Sequence, residues 1–87
     1  MEISTIVKKL ENEAANTRFS FLLRICGEFF GEPRINGSHH IFKTPWPGDP
    51  RLNLQMSKGK AKPYQVRQVI AALARLEGVR DGDDSKR

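Results

Sequence analysis

The amino-acid sequence predicts a small α+β fold in the order extra helix, helix, three antiparallel strands, helix. Three observations lead there. Apolar residues recur at helical spacing in two stretches before Pro33 and in one after Lys62. Between them the pattern changes to short runs bounded by Gly and Pro, one of which alternates polar and apolar. The length, 87 residues, suits one core only, since chains below about 100 residues rarely divide. A single domain over 1–87 is therefore expected, with an additional N-terminal helix at 3–15, a core at 17–77 and a flexible tail at 79–87. Two helices of this length cover one face of a three-stranded sheet and leave the other face open.

The first helix rests on Ile3, Ile6, Val7 and Leu10, one apolar stripe with charged residues around it. Asn16 and Thr17 supply capping chemistry for the second, whose inward set is Phe19, Leu22, Leu23, Cys26, Phe29 and Phe30. Gly31 is placed to end it and Pro33 forbids continuation. The strand candidates are Arg34–Asn36, His39–Thr44 and Arg51–Met56, and Asn36-Gly37 signals a hairpin between the first two. Pro45-Trp46-Pro47-Gly48-Asp49-Pro50 fits neither helix nor central strand, so it connects. In the third strand Leu52, Leu54 and Met56 share one face. Ser57 to Lys62 is a loop, and Pro63 opens the last helix where its missing N–H has no partner to lose. Val66, Val69, Ile70, Leu73 and Leu76 form its core stripe, and Gly78 is a natural stop.

Charge divides unevenly along this order. The formal net charge is +5. Residues 1–33 carry a net −1 and residues 68–87 cancel, whereas 34–67 carry +6, from Arg34, Lys43, Arg51, Lys58, Lys60, Lys62 and Arg67 against Asp49 alone. A cation excess confined to one segment points to a polyanion, and nucleic acid is the commonest. Several classes drop out. The chain is too short for a two-halved dinucleotide fold, and one Cys excludes a disulfide framework or a Cys-rich zinc module. No apolar run approaches the ~20 residues that span a bilayer. Nothing marks the N-terminus for secretion, so a cytoplasmic location is expected.

Gly37-Ser38-His39-His40 is the one conspicuous catalytic candidate, because an imidazole, with an ordinary pKa of ~6.5, moves protons at neutral pH. Strand alternation puts His39 with Ile41 and Lys43, and His40 with Phe42, so the two histidines cannot address one site. Adjacent histidines without Cys or carboxylate at ligand spacing do not make a zinc site. The single acidic residue of the middle segment argues against paired-carboxylate glycoside hydrolysis and Mg²⁺-dependent nucleases. No cofactor is expected. Lys58, Lys60 and Lys62, before a helix N-terminus, form an anion site without P-loop spacing, which suits a phosphodiester backbone better than a mononucleotide. Cys26 lies on the apolar stripe and is core packing.

Gly37-Ser38-His39-His40-Ile41-Phe42, then Pro45, then Gly59-Lys60-Ala61-Lys62-Pro63-Tyr64-Gln65-Val66-Arg67-Gln68-Val69 resembles the HicA family of toxin–antitoxin ribonucleases, over roughly Phe19 to Leu76. The resemblance implies the fold of a double-stranded-RNA-binding domain, α-β-β-β-α, and the activity of an mRNA interferase silenced by a HicB-type antitoxin. It implies His39, directly after Gly-Ser, as the catalytic histidine. Gly37, Ser38, His40, Lys58, Lys60, Lys62 and Arg67 are then the expected RNA contacts, with no metal. The chain departs from the family pattern in its N-terminal helix and in the Pro-rich Trp46–Pro50 loop.

In such an enzyme His39 is the general base that deprotonates the ribose 2′-OH, while the lysines and the N–H groups near Gly37 stabilise phosphoryl charge. Water, a lysine or His39 of a second copy are open as proton donors to the leaving oxygen. A monomer is expected when free and a hetero-oligomer when inhibited. Two other readings stand beside this one. The first is a non-catalytic RNA-binding module of the same fold. The second is a protein-interaction domain that uses its open sheet face and Trp46 loop.

Overall fold

The computed structural model describes residues 2–46, 52–56 and 58–85, with side chains up to residue 78. Helix α1 (Ile3–Asn12) is followed by a 3-10 turn (Ala14–Asn16) and helix α2 (Phe19–Phe30). Strands β1 (Arg34–Asn36), β2 (His39–Phe42) and β3 (Leu52–Gln55) come next, and helix α3 (Pro63–Ser85) closes the chain. The expected α+β order is present. Pro47–Pro50, Arg51 and Ser57, expected as connection, strand start and loop, lie outside the described residues, as do Lys86 and Arg87.

α1 buries Ile3, Ile6 and Leu10 and packs along α3. It ends at Asn12, short of the expected Ala15, because the Glu13 carbonyl is taken by local donors. The Thr17 hydroxyl donates to it at 2.8 Å and the Asn16 N–H at 2.8 Å, which tightens the chain into the 3-10 turn. Thr17 therefore closes the turn behind it rather than capping α2. No side chain caps α2; its N-cap is Arg18, in extended backbone. The first N–H finds a tertiary partner instead: Phe19 N–H donates to Gly59 O at 3.2 Å.

On α2, Phe19, Leu22 and Cys26 are buried as the stripe predicts, and Ile25 joins them with no exposed surface. Leu23, Phe29 and Phe30 sit at the margin, half-buried. The buried arc is wide because α2 packs against both α3 and β2. Gly31 ends the helix with φ +85, its N–H still bonded to Gly27 O at 3.2 Å.

The sheet is antiparallel in the order β1-β2-β3. Asn36 pairs with His39, so the hairpin loop is Gly37-Ser38 and not Asn36-Gly37. Gly37 has φ +62 and Ser38 does not share a positive φ. A two-residue loop with positive φ only at its first position is the II′ turn, whose twist matches that of the strands. From that pairing every side chain takes its face. Ile35, His40 and Leu54 share one row, and Phe42 with Leu52 the next, all toward α2 and α3. Phe42, Leu52 and Leu54 are buried there, each worth about 1.5–3 kcal/mol of apolar burial. Ile35, on the free edge of β1, remains 64% exposed. Met56 falls beyond the end of β3 and is 55% exposed, so the expected apolar face stops at Leu54.

α3 buries Val66, Val69, Leu73 and Leu76, together with Gln65 and Ala72, while Ile70 is half-buried toward α1. Gly78 does not stop it: the helix continues to Ser85. A glycine inside a helix costs about 1 kcal/mol relative to Ala, less than breaking a helix already held by its core face. No helix among the described residues is long and apolar enough to cross a membrane.

Candidate functional site

The face of the sheet turned away from α2 and α3 carries Arg34, Asn36, His39, Ile41, Asn53 and Gln55, in two cross-strand rows. Asn36, His39 and Gln55 form the row beside the hairpin turn; Arg34, Ile41 and Asn53 form the next. His39 thus sits on the middle strand and on the open face. Its Nδ1 lies 3.0 Å from Asn53 Oδ1. Gln55, its direct cross-strand neighbour, reaches past it, and Gln55 Nε2 donates to Ser38 Oγ at 3.0 Å. Both bonds join β3 to the hairpin end of β2, and the imidazole between them is half-buried.

His40 takes the opposite direction. Its ring meets Phe19 edge-on, centroids 5.4 Å apart at 67°, and its buried Nδ1 has no hydrogen-bond partner among the described residues. The structure therefore does not bring His40 to the face that holds His39. The period-2 alternation of a strand is the whole reason. Gly37 and Ser38 form the turn beside His39, Gly37 with its N–H in the loop and Ser38 held by Gln55.

The lysine loop leaves the sheet at this same end, since β3 terminates at Gln55 opposite His39 and Lys58 lies only three residues on. Lys58, Lys60 and Lys62 are all exposed. Lys58 takes φ +54 and Gly59 φ +78, so the loop doubles back tightly, with a non-glycine residue in the left-handed region. Lys60 then pairs as an isolated antiparallel bridge with Arg18. The bridge is fixed by Phe19 N–H to Gly59 O at 3.2 Å and Ala61 N–H to Thr17 O at 3.0 Å. Those bonds flank the Arg18–Lys60 pair rather than joining it, and in that geometry opposed side chains stand closest. Two exposed cations therefore face each other. Among the described residues the one ion pair is Lys9–Glu13, at 3.1 Å on α1, so no carboxylate answers them.

Arg18 is a site residue that sequence reasoning missed, because the charge count assigned it to a segment of net −1 and the bridge that carries it across is tertiary. Asn53 and Gln55 were missed as well. Their alternation with Leu52 and Leu54 marks them as outward, but only the register with β2 brings them to His39. Arg67 goes elsewhere. It is exposed one turn into α3, lining a shallow groove with Glu11, Ala14, Ile70 and Ala71. The structure does not bring it to the His39 row.

Among the described residues no three His, Cys, Asp or Glu side chains come together. Burial pushes the Cys26 thiol up to about 12, so it is a core side chain and not a nucleophile at neutral pH. Trp46, which begins the loop expected as a partner contact, is half-buried. The Arg75 guanidinium lies 4.6 Å from its ring centroid, and Phe30 meets it edge-on at 6.2 Å. It fastens the start of the Pro-rich connection to α2 and α3. Compared with protein-family models, curated proteins and solved structures, the chain finds no match.

Proposed function

We propose that this chain is a metal-independent endoribonuclease of the HicA type. In this reading it is the mRNA interferase toxin of a type II toxin–antitoxin system, cytoplasmic, and silenced by a HicB-type antitoxin. Its α-β-β-β-α core corresponds to a double-stranded-RNA-binding-domain-like fold, with α1 added against α3. The observation that carries the reading is the placement of His39: on the open sheet face, hydrogen-bonded, and at the same end as Arg18, Lys58, Lys60 and Lys62. In this reading the phosphodiester lies across that end of the sheet, with its ribose on the imidazole's side and its non-bridging oxygens toward the cations.

The chemistry follows from the substrate. His39 removes the proton of the 2′-OH as O2′ bonds to phosphorus and the P–O5′ bond breaks, leaving a 2′,3′-cyclic phosphate and a 5′-hydroxyl. The lysine ammonium groups stabilise the charge that grows on the non-bridging oxygens. His40 faces the helices, so protonation of the leaving O5′ falls to a lysine, to water or to His39 of a second copy. Acid–base catalysis by one residue contributes about 10²–10⁴-fold, and positioning by the cations supplies the remainder.

The test uses one RNA and its 2′-O-methyl analogue, each incubated with the purified protein in EDTA. Cleavage of the RNA alone, with cyclic-phosphate ends, is expected. Equal cleavage of both, or dependence on a divalent cation, refutes the mechanism. A binding-only module rests on the same cations and needs no chemistry at His39. Salt-dependent binding of both polymers without cleavage is its signature.

A further inference from the structure

We infer that Asn53 is a positioning residue for His39, holding the imidazole proton on Nδ1 and leaving the Nε2 lone pair to accept the substrate's proton. The inference rests on the ribonuclease reading and deepens it by naming the reactive nitrogen. A carboxamide oxygen has no proton to give, so at the 3.0 Å contact Asn53 Oδ1 accepts and His39 Nδ1–H donates. A neutral imidazole carries one ring proton, and the hydrogen bond made by one nitrogen decides which form the ring takes. With Nδ1 protonated, Nε2 is the base.

The backbone makes the contact durable. His39 pairs with Gln55 and Asn53 pairs with Ile41, so Asn53 is the diagonal neighbour of His39 on the same face, within reach of a side chain bent along the strand. Gln55, the nearer neighbour, is occupied by Ser38. Among the described residues the ring has one hydrogen-bond partner, Asn53. Asn is also the right choice of charge. Among the described residues the charged side chains nearest His39 in the fold are Arg34 in the next row, Lys43 past the far end of β2, and Arg18, Lys58, Lys60 and Lys62 at the hairpin end of the sheet, while β3 itself offers only Asn53 and Gln55 on this face. A carboxylate at 53 would favour imidazolium and remove free base at neutral pH, whereas an amide orients the ring without adding charge.

Asn53 is exposed and β3 is paired through its main chain, so substitutions there keep the fold, which amide spectra verify. Long-range ¹⁵N NMR of the parent at about pH 8, above the ordinary imidazole range, is expected to show a protonated His39 Nδ1 and an unprotonated Nε2. In Asn53→Ala the two nitrogens move to averaged shifts. In RNA cleavage the same variant is expected to lose roughly ten-fold in kcat with KM within about two-fold, because the ring is mispositioned. Asn53→Asp restores orientation and moves the acidic limb of the kcat profile up by about one pH unit. The inference is overturned by a parent protonated at Nε2, by an Asn53→Ala spectrum unchanged at His39, or by an Asp variant that neither restores kcat nor moves the limb. A parent with the Nδ1–H ring that cuts no RNA overturns the ribonuclease reading and the catalytic half of this one, leaving only the tautomer.

Discussion

Gly37→Ala should destabilise the protein by about 2 kcal/mol, although the added methyl touches nothing. A Cβ at Gly37 has no heavy atom within 4 Å, so sterics with the rest of the fold contribute nothing. The cost is in the backbone, where φ is +62, and a non-glycine residue held in such a region carries about 1–3 kcal/mol of strain. For a domain of this size 1 kcal/mol moves Tm by about 4–8 °C, so a fall of roughly 8–16 °C is expected by calorimetry or circular dichroism. The control is Gly27→Ala. That glycine is inside α2, also with nothing within 4 Å of a Cβ, and without a positive φ. There the same substitution stabilises by up to about 1 kcal/mol through helix propensity. Opposite signs for one chemical change isolate the turn as the cause. If Gly37→Ala melts with the parent, the II′ turn is not the native one. The face of His39 then falls with it, since a one-residue slip exchanges the two faces of a strand.

Arg18→Gln is expected to weaken RNA binding and to lower the slope of log affinity against log salt by about 0.7–0.9, one phosphate contact, as measured by a titration series; an unchanged slope removes Arg18 from the site. His40→Phe exchanges a half-buried ring, whose buried Nδ1 has no hydrogen-bond partner among the described residues, for an apolar one against Phe19. It should keep RNA cleavage within about two-fold and leave Tm equal or higher, because a buried unsatisfied polar atom costs about 1–3 kcal/mol. Loss of cleavage with the fold intact would return His40 to the reaction. The Cys26 thiol should resist alkylation in the folded protein at pH 8 and react on unfolding. Burial holds its pKa at about 12, above its ordinary value of 9.0. Stability from the buried thiol is therefore full below pH 9.0, declines above it as the unfolded thiol ionises first, and is lost as pH passes about 12.

The helices were legible because burial writes a local period into the sequence: Ile3, Ile6 and Leu10 on α1, and Val66, Val69, Leu73 and Leu76 on α3, are the residues the structure buries. Ends were less so. Thr17 has the chemistry of an α2 cap, yet its hydroxyl reaches back to Glu13, because a strand-like bridge to the lysine loop already serves the start of α2. Gly78 reads as a stop and is passed over. The candidate site was half legible. His39 and the three lysines stand out by residue type, but the face of His39 depends on whether the turn is Asn36-Gly37 or Gly37-Ser38, a difference of one residue. Asn53 and Arg18 come to the site through pairings that no local pattern encodes.

The central claim is that one imidazole on the open sheet face cuts RNA. Its most direct measurement is the single-turnover cleavage rate of a defined RNA by the parent and by His39→Ala, in EDTA, with both proteins shown to have the same amide spectrum and the same RNA affinity. The variant is expected to bind as the parent does and to cleave about 10²–10⁴-fold more slowly. A folded His39→Ala that cleaves at the parent's rate contradicts the claim.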